Sequence, residues 1–185
     1  MKNLINDYLQ QIDAQTQAYL NLFNGLTTET LNWKPHANKW SIAQCIDHII
    51  TTNEQYFAVF ENCMAQNYKS HWIAKIPGMT KWMGNMIFNS VDPKNVKKVK
   101  TFAVFEPTQS NIDEKILQEF EENQDTLKTF IDNMEGLEIS KIVVSSPVNP
   151  YIVYTLEKAL EIIIAHEQRH FNQAKGVLED HSKNQ

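Results

Sequence analysis

The chain lacks most of the features that mark special-purpose folds. It has two cysteines in 185 residues, Cys45 and Cys63. They are too few and too far apart for a disulfide framework or a cysteine-type zinc site. Lys and Arg number 17 against 22 Asp and Glu, a formal net charge of −5, so the basic footprint that a nucleic-acid backbone requires is missing. No apolar run approaches the roughly 18 residues of a membrane span, and the opening MKNLINDYLQQIDAQ has no apolar signal-peptide core. Neither an internal repeat nor a low-complexity segment is present. These absences lead to the expectation of a soluble cytoplasmic protein with no nucleic-acid or membrane partner.

What is there is ordinary globular material, 42% hydrophobic and 21% charged, long enough for a real core. Its periodicity is helical. Leu4, Tyr8, Ile12, Tyr19 and Phe23 recur at helical intervals, interrupted at Gln15 and Thr16 and ending near Gly25. Such a polar gap faces a polar cavity or forms a helix flank. Ser41 and Gln44 make a capping-box pattern that opens a second helix. Its stripe is Ile42, Ile46, Ile49, Asn53, Tyr56, Phe57 and Phe60, with Cys45, His48 and Thr52 on the flank.

A third helix is expected from about Ser110 to Glu135, with Gly136 as its stop. A fourth starts near Thr155 and buries Leu156, Leu160, Ile163, Ile164, Phe171, Ala174 and Leu178. Before it, KIVVSSPVNPYIVY is β-prone, but Pro147 and Pro150 restrict it to short edge-like strands or an extended loop. Residues 65–108 are punctuated by Pro77, Gly78, Gly84, Pro93 and Pro107, with KWMGNMIF as a candidate short helix. A connection this long carries function or structure of its own, and two parallel neighbouring helices would require it. The lysines at 94, 97, 98 and 100 in it read as a solvated face. The expected fold is therefore all-α: a single domain, residues 1–185, built as a four-helix bundle with a long crossover between helices 2 and 3.

Three histidines carry the candidate chemistry. His166 and His170 stand four residues apart, so both rings project from one helix face where one metal ion can reach them. His48, on another helix, would complete a three-histidine site with an open position, the layout of catalytic rather than structural zinc. Glu167 falls near the centre of the fourth helix's apolar side, a costly place for a carboxylate unless a metal, an imidazole N–H or Arg169 compensates it. Cys45, one turn before His48, is either close to that metal or a buried inert thiol. His36, His71 and His181 are given no role. Tyr19, Trp40, Tyr56, Trp72 and Trp82 are candidate pocket walls or core residues. Gln173 is a candidate to orient a ligand or an exposed helix residue.

The string His166-Glu167-Gln168-Arg169-His170 also matches the H-E-x-x-H pattern of zinc peptidases. There the third ligand normally follows in sequence. Gln173 and Gly176 occupy the glycine and third-histidine positions of the extended metzincin motif, which leaves a metallopeptidase as a minor alternative.

A second comparison takes in the whole chain. NKWSIAQCIDHII, with Trp40-Ser41 opening the second helix and His48 one and a half turns in, and HEQRHFNQA in the last helix resemble motifs of the DinB-like superfamily. KTFAVFEP and SSPVNPYIVYTLEKAL resemble its linker and pre-helix segments. That superfamily includes YfiT-type metal-dependent hydrolases and bacillithiol S-transferases. The resemblance implies a divalent metal on His48, His166 and His170, often in a homodimer; imidazole suits zinc, nickel, copper and iron alike, and zinc or nickel is the expectation. It also implies a small-molecule substrate, with a low-molecular-weight thiol as candidate co-substrate. Three neutral ligands leave the ion its full charge, which acidifies a bound water or thiol. A transferase would use the thiolate as nucleophile; a hydrolase would use activated water, with the catalytic role of proton shuttle assigned to Glu167. The alternatives are a metal-binding or stress-related protein without catalysis, and a member in which the histidines serve polar packing alone.

Overall fold

The computed structural model describes residues 2–95, 106–107 and 109–184, with side chains from Leu4 onward. The helices are α1 Lys2–Phe23, α2 Thr28–Asn32, α3 Ile42–Met64, α4 Met79–Val91, α5 Ile116–Asp132 and α6 Leu156–Lys183. A 3-10 turn, Trp72–Lys75, precedes α4, and the strands β1 Val143–Ser146 and β2 Asn149–Thr155 precede α6. The protein is thus mostly helical, with one small antiparallel sheet among the described residues. No helix of that set is long and apolar enough to cross a membrane. Lys97, Lys98 and Lys100, and most of KTFAVFEP, lie outside the described residues; Lys94 is exposed.

Local chemistry sets the helix ends. The Gln44 backbone N–H donates to Ser41 Oγ at 3.2 Å and the Ser41 N–H to Gln44 Oε1 at 3.3 Å, so the capping box forms and α3 starts where its signature stands. Thr155 caps α6 by accepting from the Lys158 N–H at 3.1 Å. Gly136, at φ 91, ends the stretch after α5 in a conformation other residues avoid.

The third helix begins later than expected, at Ile116 rather than near Ser110. Asn32 is the reason. Its amide donates to the Ile112 carbonyl at 2.7 Å while its oxygen accepts from the Ile112 N–H at 2.8 Å. Both backbone groups of Ile112 are thereby taken from any helix. The β-prone segment forms a hairpin, with Val144 opposite Tyr154 and a register shift after Ser145. With only two strands, Pro150 can sit in β2 without breaking a ladder on both sides. α4 rests on this hairpin and on α6 at Gly84, where an added Cβ would meet Lys158 Cγ at 2.8 Å and Tyr154 Cβ at 3.1 Å.

α3 packs against α5 and α6, and α1 packs against the same two helices. Between them lie two apolar clusters rather than one. The first joins Ile5, Tyr8 and Ile12 of α1 with Phe60 and Cys63 of α3, Leu127 and Ile131 of α5, and Leu156 and Leu160 of α6. The second joins Tyr19 and Phe23 with Ile42, Ile46 and Ile49, Ile116 and Phe120, and Ala174 and Val177. α3 and α6 therefore run antiparallel. Each long helix carries polar residues at the level where the clusters part: Thr16 in α1, Thr52 and Asn53 in α3, Asn123 and Gln124 in α5, and His166, Glu167 and His170 in α6. The break at Gln15 and Thr16 in the first helical stripe is this layer, with Gln15 donating to the Ile164 carbonyl at 3.1 Å. Buried polar groups survive only when partnered, so the layer fixes how the four helices stand in register.

Candidate metal centre

On α3, Gln44, His48, Thr52 and Tyr56 follow one another at four-residue steps along the wall of a cavity of about 960 Å³. On α6, His166, Arg169, His170 and Gln173 line the same cavity from the opposite side. The helical spacing of both segments brings the three expected histidines together. One nitrogen from each lies within 4.8 Å of the others. Nε2 of His48 and Nε2 of His166 are 3.0 Å apart. Ring centroids are separated by 4.9 Å for His48 and His166, and by 4.5 Å for each of these rings with His170. Tetrahedral nitrogens at 2.0–2.1 Å from one zinc ion stand roughly 3.3 Å apart, close to the separation of the His48 and His166 nitrogens.

The surroundings of the two α6 rings favour their neutral form. Burial pushes the pKa of His166 well below the ordinary histidine range, aided by His48 and Arg169. His170 is lowered in the same way by burial, then by His166, His48 and Arg169, with Gln173 acting in the opposite direction. Neutral imidazole is the form that binds a metal. Nδ1 of His170 is buried without a hydrogen bond of ordinary geometry among the described residues, although the Gln173 side chain interacts with the ring; unsatisfied groups of this kind mark places for an ion or a water. The donor set and this atom fit one divalent ion on His48, His166 and His170. Trp40 lies stacked on His170, at 5.7 Å and 19° between planes, and 4.9 Å from the His48 ring. It roofs the site with an apolar surface.

Glu167 is fully buried. It does not line the cavity among the described residues. Its Oε1 accepts from Asn53 Nδ2 and from Gln124 Nε2, each at 2.9 Å, while Oε2 has no partner there. The Tyr19 hydroxyl donates to its backbone carbonyl at 3.0 Å. Burial pushes the carboxyl up to about 7, against the pull of the two amide hydrogen bonds. Its compensation comes from neutral amides of α3 and α5. A peptidase glutamate has to face the water bound at zinc, so this placement removes the support for the metallopeptidase reading. Arg169 instead reaches outward and donates to the carbonyls of Asp92 at 3.2 Å and Asn95 at 2.6 Å. It ties the segment after α4 to the helix of the ligands.

The other candidates separate cleanly. Trp40 and Tyr56 line the cavity, as does His36. Tyr19 is core, and Trp72 and Trp82 are 63% and 61% exposed. Cys45 is buried in the second apolar cluster, its thiol raised well above the ordinary range by burial; it belongs to no metal-binding group among the described residues. His71 packs on Trp72 and Tyr151, and His181 on Trp33. Asn123 and Gln124 escaped the sequence reading. Their signal was available: they interrupt the apolar stripe between Phe120 and Leu127, as Gln15 and Thr16 interrupt that of α1.

No curated protein and no solved structure matches the chain significantly. The family model of the DinB superfamily matches residues 11–174, a span that runs from the third turn of α1 past both histidines of α6. With three histidines meeting across α3 and α6 inside that span, the chain belongs to the DinB superfamily.

Proposed function

We propose that the protein is a metal-dependent enzyme of the thiol S-transferase or hydrolase type. In this reading it is a four-helix bundle holding one divalent ion, zinc or nickel, on His48, His166 and His170. The single observation that carries it is the convergence of three imidazoles, the two on α6 kept neutral by burial, on a cavity large enough for a small-molecule substrate. When bound, the ion supplies a fixed positive charge that acidifies a water or thiol at its open position.

The chain's own residues do the rest. Thr52 Oγ1 donates to the His48 carbonyl at 2.7 Å and braces that turn of α3. Trp40 excludes water from one side of the rings. We assign Glu167 a positioning role: held by Asn53, Gln124 and Tyr19, it locks the ligand-bearing turn of α6 against three other helices. A low-molecular-weight thiol as co-substrate, a homodimer and a cytoplasmic location belong to the same proposal and follow from the family.

One observation favours a second reading, metal binding without turnover: the glutamate of the H-E-x-x-H string is turned into the core. The test is to load the protein with zinc or nickel and screen low-molecular-weight thiols against alkylating electrophiles and activated esters. Turnover that requires the metal supports the enzyme. A fully loaded protein that turns over no substrate supports the second reading.

A further inference from the structure

The cavity changes character along its length. Because α3 and α6 run antiparallel, Gln44 and Gln173 stand at one end, the three imidazoles in the middle, and Tyr56 with Ile162 and Ile163 at the other. This last end continues beneath α4 and the hairpin, where Ile87, Val91, Val148 and Ile152 face it. The polar side chains on this end have partners: Ser90 Oγ donates to the Ile87 carbonyl at 2.6 Å, and Ser146 is hydrogen-bonded to Tyr154. The Tyr56 hydroxyl is hydrogen-bonded to that of Tyr154 at 2.8 Å, which leaves the ring of Tyr56 for the cavity. The nearest charge in sequence, Arg169, is engaged by the carbonyls of Asp92 and Asn95. The other charged lining residues are Lys39 just before α3, Glu179 and Asp180 near the end of α6, and Glu106, three residues before the Gln109 carbonyl that accepts from Gln44 at that same far end. An apolar recess beside a polar site is where a ligand gains affinity by leaving water.

We infer that this end is the specificity arm of the site: it receives an apolar alkyl or aryl body of the substrate, whose reacting group meets the three histidines. The inference rests on the proposed function only in taking the histidines as the reacting end. Ile87 and Ile152 set the arm's width from α4 and β2, and both are half-buried at the edge of the first apolar cluster, so their replacement removes no fully buried residue.

The test uses a series of straight-chain 1-alkanethiols of two to six carbons, with dissociation constants measured by calorimetry on the zinc-loaded full chain and on metal-free protein. Zinc content is recorded separately by mass spectrometry. Each added methylene tightens binding about fourfold until the arm is full. Ile87→Asn and Ile152→Asn, each checked for helix content, reduce that increment while zinc content stays unchanged. A flat series in folded wild-type protein overturns the arm, whatever the metal content. An increment unchanged in both variants overturns it too, because the chain then binds elsewhere. An increment that persists in a protein that never holds zinc supports the arm and counts against the metal reading alone.

Discussion

The side-chain amide of Asn53 on α3 donates to Oε1 of Glu167 on α6 at 2.9 Å, in the layer where the core's two apolar clusters part. Glu167 lies between the two α6 histidines in sequence, yet its carboxyl is held away from their cavity. The amides that brace the ligand-bearing turn of α6 thus lie apart from the cavity that the histidines line.

Glu167→Gln should test that division. Glutamine keeps the oxygen that accepts from Asn53 and Gln124 and puts an amide where Oε2 has no partner. The variant is expected to fold, to retain metal, and to keep turnover within about tenfold, since acid–base groups that act directly are worth roughly 10²–10⁴-fold. Glu167→Ala should instead leave the Gln124 amide without its acceptor and Asn53 with only its bond to Asn123, at about 1–3 kcal/mol for each buried unsatisfied group. Thermal melting and metal content of the pair decide the matter. A large loss of turnover in metal-loaded Glu167→Gln would assign Glu167 to proton transfer.

Arg169→Ala is expected to loosen the end of α4 without unfolding the long helices. The guanidinium supplies hydrogen bonds to the Asp92 and Asn95 carbonyls, and bonds from charged donors contribute about 1.5–3 kcal/mol. Hydrogen exchange should rise around residues 88–95 and stay unchanged in α3 and α6. Uniform exchange across all helices would contradict this.

Both cysteines should be inert in the native state. Burial raises the Cys63 thiol to about 11 and Cys45 further, and the thiolate is the reactive form. A disulfide reagent at pH 8 should label neither until the protein unfolds. The sign of the linkage is fixed: the unfolded chain ionises its thiols from about pH 8.5, so native stability should fall above that pH as the folded thiols stay neutral. Rapid labelling of either cysteine in folded protein would contradict the packing.

Much of this was legible in the sequence because it was local. Ser41 with Gln44 and Thr155 each mark a helix start by chemistry within three residues, and the i, i+4 spacing of His166 and His170 sets their common face; the expected end at Glu135 was less exact, since α5 stops at Asp132 and Gly136 turns the chain four residues later. The convergence of His48 was legible through the family resemblance and through its place on the flank of a stripe. What escaped was non-local. Nothing near Ile112 announces that Asn32 will capture both its backbone groups and delay α5. The partner of Glu167 was equally hidden, because Asn53 and Gln124 meet it only once three helices are in register. In hindsight the polar gaps of α1, α3, α5 and α6 at one level carried that information together, though no single gap did.

The most direct test of the account is metal content by mass spectrometry on untagged protein, beside His48→Ala. The three histidines predict near-stoichiometric zinc or nickel that falls away in the variant. The variant should stay helical, because the apolar clusters do not depend on His48. No metal in either protein after reconstitution, or equal metal in both, would contradict the three-histidine centre.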